Sequence, residues 1–401
     1  MRPAEVEQVV YPDDCDAFGH LNQAAFLRIF ERARWDVLGE GAGMDVFVRQ
    51  GAWPAVRKTV IDYLAPAFPG DLLRVHHALV HLGRTSFTMR QTARRSSDDV
   101  LIATGEFVFV CVDREGRPVP VPHEIGAHFQ AQPSAEPVDR MSVNGVQLAV
   151  EQRGSGSGPA VLFIHAFPLD WTIWEHQLDG LTGFHRIAPD LRGMGRSDAP
   201  DLGYSMSTYA EDLVGILDAL GEARVVLCGI SLGGYIAFEF LRRWRERVRG
   251  LILMDTRPEA DSAEGRRSRE ALIGRVREQG AIAAAEAMLP RFFTPQVPRE
   301  IIEQVRTTIL GTPVAGIVGA LSAMRERPDS TPLLATLTGI PTLVVVGAED
   351  MITPPPIAQV MAGAIPGARL MEIPGAGHLP CIEQPVPTTR AILKFLQGLG
   401  G

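Results

Sequence analysis

The sequence predicts two unlike domains in one chain. The first is an α+β domain, an antiparallel sheet around one long helix. The second is an α/β domain with a mostly parallel, doubly wound sheet and a helical cap. Three observations predict this. The chain has 401 residues, too many for one ordinary domain and a fit for two. Its first third holds one helical periodicity followed by several strand-like runs. Its remainder places short apolar runs ahead of Gly-rich turns and amphipathic stretches, the texture of strand, tight turn and helix.

In the first domain, taken as residues 1–130, Val6–Tyr11 reads as a strand and leads into the polar segment Asp13–Asn22. Phe26, Ile29, Phe30, Ala33 and Val37 then recur at helical spacing and define one long amphipathic helix. Trp53–Tyr63, Leu72–Leu82, Ser86–Arg94 and Val100–Val112 read as strands. A strand, one long helix and a sheet with hairpin turns is the pattern of the hotdog fold. The segment D-x-D-x-x-G-H-x-N at Asp14–Asn22, followed by E-R-A-R at Glu31–Arg34, resembles the 4-hydroxybenzoyl-CoA thioesterase-like family over nearly all of residues 5–122. The resemblance implies that Asp16 attacks a thioester carbonyl or activates water against it. It also implies that the backbone N–H of Gln23, at the helix start, polarises the carbonyl oxygen. A helix N-terminus offers unpaired donors and a favourable dipole for that task. Arg84 is a candidate for the phosphates of coenzyme A, which enters only as part of a thioester substrate. Members of the family pair two sheets side by side, so a homodimer or higher homo-oligomer through this domain is expected. In the competing reading, Asp16 and Asn22 merely cap the helix and the domain only assembles the chain.

Residues 131–141 form the expected linker, polar and without apolar periodicity, and 142–401 the second domain. Leu148–Glu151 and Val161–Ile164 read as strands, with Gly154–Gly158 as a hairpin turn between them. Val225–Leu227 leads into Cys228-Gly229-Ile230-Ser231-Leu232-Gly233-Gly234 and then the amphipathic Tyr235–Trp244. Small residues flank Ser231 because a sharp strand-to-helix turn leaves no room for side chains. Thr342–Val346 ends in Gly347-Ala348-Glu349-Asp350, and Leu370–Ile373 is followed by Pro374-Gly375-Ala376-Gly377-His378. Ahead of the Thr342 strand, about 256–333, lies an Arg-, Glu- and Ala-rich region with helical periodicity, broken by Pro290, Pro295 and Pro298, read as a cap of short helices.

From Val143 onward the chain resembles the α/β-hydrolase superfamily, and within it small esterases, enol-lactonases and cofactor-free perhydrolases. The order Ser231, Asp350, His378 matches that family's triad. Ser231 is then the nucleophile, His378 its base, and Asp350 the group that fixes the imidazole tautomer. The backbone N–H groups of Leu232 and Phe167 are the expected oxyanion donors, with His165-Ala166 standing where the family usually has His-Gly. Trp171, Trp174, Phe292 and Phe293 are candidates for an apolar acyl pocket, or else pack the cap onto the body. Asp255, at the end of the strand Leu251–Met254, competes with Asp350 as the acid or caps a helix before Arg257-Pro258. A serine at the elbow argues against a haloalkane dehalogenase, which uses a carboxylate there. Cys228 and Cys381 flank the candidate site segments but lack the spacing of a metal site.

A net charge of −8 argues against nucleic acid or an anionic membrane as partner. No apolar run approaches the length needed to span a bilayer. Four scattered cysteines suggest free thiols in a reducing cytoplasm. The expectation is a cytoplasmic bifunctional hydrolase without cofactor or metal: a serine esterase or lactonase joined to an acyl-CoA thioesterase. Its partners are small-molecule ester, lactone or acyl-CoA substrates. In the alternatives, only the serine site is active, or the elbow serves a perhydrolase or a C–C bond hydrolase. A ligand receptor built on a hydrolase body is the non-enzymatic reading, and the complete Ser-Asp-His set argues against it.

Overall fold

The computed structural model describes residues 5–39, 43–83, 85–98, 100–122, 139–154 and 158–399. By internal packing the chain divides into two compact units, Met1–Pro137 and Val138–Gly401. The expected linker lies outside the described residues up to 138, and the second unit's first strand already begins at Asp139.

The first unit runs β1 (Glu5–Val9), α1 (Gln23–Gly39), α2 (Gly43–Gln50), β2 (Trp53–Tyr63), β3 (Leu72–Leu82), β4 (Ser86–Arg95) and β5 (Leu101–Val112). The strands form one antiparallel sheet in the order β1-β3-β4-β5-β2. Burial alternates residue by residue along β4 and most of β5, so one sheet face is covered. The cover is α1, whose Ala25, Phe26, Ile29, Phe30 and Ala33 are buried in the same core as Leu73, Val75, Phe87, Met89 and Phe107. A polar clasp crosses this layer. Gln91, fully buried on β4, donates to the Phe30 carbonyl at 2.9 Å and accepts from Arg34 at 2.5 Å. Burial pushes the Arg34 guanidinium down to about 10, and that cation lies 4.3 Å from the Phe107 ring centroid.

The second unit continues with β6 (Asp139–Val143), β7 (Val146–Arg153), β8 (Ala160–Ile164), α3 (Glu175–Gly180), β9 (Arg186–Pro189), α4 (Met206–Ala219), β10 (Val225–Ile230), α5 (Leu232–Arg243) and β11 (Val248–Met254). The cap follows as α6 (Ala263–Gln279), α7 (Ile282–Phe292), α8 (Arg299–Gly311), α9 (Val314–Arg325) and α10 (Thr331–Leu334). The chain then returns through β12 (Thr342–Gly347), α11 (Pro355–Ala364), β13 (Arg369–Ile373), α12 (Pro380–Glu383) and α13 (Pro385–Gln397). The sheet has eight strands in the order β13-β12-β11-β10-β8-β9-β7-β6. It is parallel from β13 to β9 and antiparallel at the β7-β6 end. Every residue of β8, β10 and β12 is buried, as expected of a parallel sheet covered on both faces.

Two expectations are corrected here. Strands β7 and β8 do not pair as a hairpin, because β9 lies between them in the sheet, and residues 155–157 lie outside the described residues. Pro290 does not break its helix but sits inside the last turn of α7. Among the described residues no single helix is long and apolar enough to cross a membrane.

Phe30 is fully buried and meets Phe26 and Phe107 edge to face or tilted. Phe30→Ala should cost the first unit about 3–5 kcal/mol, read as an earlier urea transition with the second unit's transition unmoved.

Candidate active site

Ser231 stands at the junction of β10 and α5 with φ at 52°, a left-handed backbone that a non-glycine residue adopts only under constraint. The constraint is local crowding. A Cβ on Gly233 would come within 2.1 Å of the Ile164 carbonyl oxygen, and one on Gly229 within 2.4 Å of the Gly233 oxygen. Helix and strand therefore close on each other backbone to backbone, and the serine is carried outward on the bend. The Ser231 N–H donates to the Met254 carbonyl at 3.0 Å, and its own carbonyl accepts from Thr256 Oγ1 at 2.8 Å.

Asp350 follows β12 and His378 follows β13. Both are buried, and His378 Nδ1 meets Asp350 Oδ2 at 2.9 Å. The carboxylate takes further donors: Oδ1 accepts from the N–H groups of Ile352 and Thr353 at 2.7 and 3.1 Å, and Oδ2 from Thr353 Oγ1 at 2.5 Å. Burial would raise this acid. The His378 charge and the bonds from His378, Thr353 and Ile352 outweigh burial and hold Asp350 well below the usual carboxylate range. His378 Nε2, the atom that must face the serine, is buried and has no partner among the described residues. The serine–histidine hydrogen bond is not made in this structure. Such bonds commonly tighten only when a substrate seats.

The histidine loop is strapped to the cap. The His378 N–H donates to the Phe292 carbonyl at 2.8 Å, and the Phe292 ring lies parallel to the imidazole with centroids 5.9 Å apart. Glu383 accepts from the Gly377 N–H at 2.8 Å and, with its other oxygen, from the Thr294 N–H at 2.7 Å and the Thr294 hydroxyl. Phe293 is half-buried and meets Phe292 edge to face. Phe292 thus stands beside His378, and Phe293 beside Phe292.

The two tryptophans do not join them. Trp174 is fully buried against Phe163 of β8, inside the body of the domain. Trp171 is buried between the guanidinium groups of Arg153 and Arg196, both also from the body. An aromatic pair at this spacing on a short helical turn turns both rings to the sheet it covers. Asp255 is not a helix cap either, since the next helix starts at Ala263 on Ser262. Its Oδ1 instead accepts from the Gly347 N–H at 2.8 Å.

Phe167 is buried in the loop after β8. Its neighbour His165 braces that loop, accepting from the Leu191 N–H at 2.9 Å through Nε2 and bonding the Ala166 carbonyl at 3.0 Å through Nδ1. Burial drives His165 down to about 4, so it stands neutral as a brace. Asp190 braces the same region by accepting from the N–H groups of Trp171 and Arg196, and burial pushes it up to about 7. His185 is taken by Glu222 and Gln152.

In the first unit, Asp16, Asn22, Gln23, Phe26 and Tyr63 line one open concavity of about 440 Å³. Asn22 caps α1, its Oδ1 accepting from the Ala24 N–H at 2.8 Å. Asp16 does not: its Oδ1 accepts from Phe18 and His20 within its own loop. The Gln23 N–H has no partner among the described residues. Arg84 lies outside the described residues.

Sequence reasoning missed Thr353, Glu383 and the Phe292 carbonyl. Thr353 was legible as the end of an Asp-x-x-Thr turn. The other two act across the cap boundary and leave no local mark.

This second unit has the body of a hydrolase, and the chain belongs to the α/β-hydrolase fold family, whose model matches residues 159–385. Residues 10–129 match the model of the thioesterase-like superfamily. The chain is similar to 3-oxoadipate enol-lactonase 2 of Acinetobacter baylyi, 28% identical over 258 residues that cover 63% of this chain and 94% of that protein. Among solved structures, a thermophilic esterase from Thermogutta terrifontis is 41% identical with a TM-score of 0.62, covering 65% of this chain and 98% of its own. The enol-lactonase of Burkholderia xenovorans is 29% identical with a TM-score of 0.60, covering 65% and 100%.

Asp350→Asn should lower kcat by roughly 10³- to 10⁴-fold, since the amide stabilises the wrong imidazole tautomer. Because its folded pKa is depressed, Asp350 adds stability above its unfolded pKa of about 3.9, and loses it as pH falls through the folded value. The stability gap between wild type and Asp350→Asn should therefore narrow in acid, which thermal melts across pH will read.

Proposed function

We propose that the second domain hydrolyses carboxylic esters or lactones through Ser231 and that the first hydrolyses acyl-CoA thioesters at Asp16. The observation that carries the first half is the buried His378–Asp350 pair after two strands of the same sheet whose β10 ends in a serine on a strained elbow. His378 Nε2 takes the Ser231 hydroxyl proton as Oγ bonds to the acyl carbon. The oxyanion is met by the N–H groups of Leu232 and Phe167. The histidine then returns the proton to the leaving alcohol, and a water molecule repeats the sequence to free the acid. The esterase and enol-lactonase relatives support esters and lactones as the substrate class. Phe292 and Phe293 form the apolar wall nearest the histidine.

For the first domain the supporting observation is that Asp16 and the unpaired Gln23 N–H line the same concavity. Water added to the thioester there yields the acid and the free thiol of coenzyme A. Assembly belongs to the same reading. Strand β2 is a sheet edge that pairs only with β5 among the described residues, and it exposes Val56, Val60 and Tyr63. Most large apolar side chains left exposed lie in this smaller unit, among them Tyr11, Phe18, Leu64 and Phe68. An apolar edge of that kind is normally covered by another copy. The four cysteines stand unpaired, which supports a cytoplasmic setting.

Ser231→Ala should lower hydrolysis of nitrophenyl esters and lactones by about three orders of magnitude or more while sparing acyl-CoA hydrolysis. Asp16→Ala should do the reverse. A tenth of wild-type esterase activity surviving in Ser231→Ala removes the serine assignment. Unchanged thioesterase activity in Asp16→Ala leaves the first domain as an assembly module. Light scattering should find the full chain at least dimeric and a 138–401 fragment monomeric and esterase-active.

A further inference from the structure

One buried acid in the second domain has no part in that chemistry. Asp255 ends β11 with φ at 40°, again a left-handed backbone on a non-glycine residue. It reaches sideways across the top of the sheet. Its N–H donates to the Val345 carbonyl at 3.0 Å, and its Oδ1 accepts from the Gly347 N–H at 2.8 Å, so it grips the end of β12 three residues before Asp350. Oδ2 is buried and has no donor among the described residues. Ligand-type atoms of Asp255, Asp350 and His378 all lie within 4.8 Å of one another.

An ionised Asp255 would point a bare oxygen at a second carboxylate in a place closed to water, an arrangement that costs far more than a hydrogen-bonded one. A proton on Oδ2 removes the conflict, because it converts an orphan acceptor into a donor with Asp350 as the acceptor at hand. The remaining neighbours agree. Burial, then Asp350, with Glu383 farther off, raise Asp255 well above the usual carboxylate range. Cys381 beside it adds no cation, since burial pushes its thiol far up. Arg257, the nearest cation along the chain, donates instead to the Ile352 carbonyl at 2.7 Å.

We propose that Asp255 is a positioning residue for the catalytic acid, a neutral carboxyl group that donates through Oδ2 to the Asp350 carboxylate and clamps the Gly347–Asp350 turn through Oδ1. The role rests on Asp350 and His378 being the reactive pair. A donor on Asp350 draws negative charge away from the oxygen that His378 Nδ1 uses, and so limits how strongly the histidine holds its second proton.

Asparagine can make the same two bonds and cannot ionise. In the full chain, Asp255→Asn should keep kcat/KM within about threefold of wild type. The stability readout is independent of catalysis. A carboxyl whose folded pKa is raised stabilises below its unfolded value of about 3.9, and that contribution is lost as pH rises toward the folded value. The melting temperature of Asp255→Asn should therefore exceed that of wild type by a margin that grows from about pH 5 to about pH 8. Asp255→Ala removes the donor and should move the acid limb of kcat/KM up by roughly one pH unit. A flat melting-temperature margin would make Asp255 ionised at neutral pH and overturn the proposal. So would an unmoved acid limb in Asp255→Ala, which leaves a merely structural role. A hundredfold or greater loss in Asp255→Asn, with Asp350→Asn still active, would make Asp255 the ionised partner of His378. Failure of the serine reading looks different: it appears as esterase activity in Ser231→Ala and leaves the melting-temperature comparison standing.

Discussion

The second domain depends on one backbone conformation, the left-handed turn at Ser231. Such a residue costs roughly 1–3 kcal/mol and persists only where its surroundings over-determine it. Here they do. The elbow's N–H and carbonyl are both engaged, and the helix behind it is pressed so close to β8 that only glycine fits at 233. Strands β8 and β10 are buried along their whole length, so the helix has an unyielding floor to be pressed against. The hydroxyl is presented because the sheet beneath it cannot give way.

The same close approach recurs where acid and histidine meet. A Cβ on Gly347 would fall within 1.9 Å of the Gly377 carbonyl oxygen, so the loops after β12 and β13 touch backbone to backbone. Residues 231, 350 and 378 are far apart in sequence, yet all three follow the carboxyl ends of parallel strands in one sheet. A parallel sheet delivers all such ends to one edge, which is where open α/β sheets hold their ligands.

Much of this was legible in the sequence, and the illegible part has a physical pattern. The strand runs from Ser86 to Val112 and the elbow strand at Val225 were visible because burial on one or both faces writes its period into the residues. The glycines around Ser231 were visible because steric exclusion is local. What depends on a second segment was not. Trp171 and Trp174 looked like pocket residues by type, and only the packing of Phe163 and Arg153 turns them into the body. Asp255 looked like a cap because Arg257-Pro258 follows it, whereas its actual partner is 92 positions away. The connection at 154–158 looked like a hairpin because adjacent strands usually pair, and β9 intervenes.

The strap between Phe292, Thr294, Glu383 and the histidine loop carries a consequence for recombination within the family. A cap inserted between two strands invites exchange as a module, cut at the ends of β11 and β12. In this chain such a cut would carry off the carbonyl that holds the His378 backbone and the threonine that shares Glu383 with Gly377. A transplanted cap that does not also supply an acceptor and a donor at those two places leaves the His378 loop without its anchorage. Cap and histidine loop are one inheritable unit, and the true seam of the module runs through Glu383, outside the insertion that defines it by sequence.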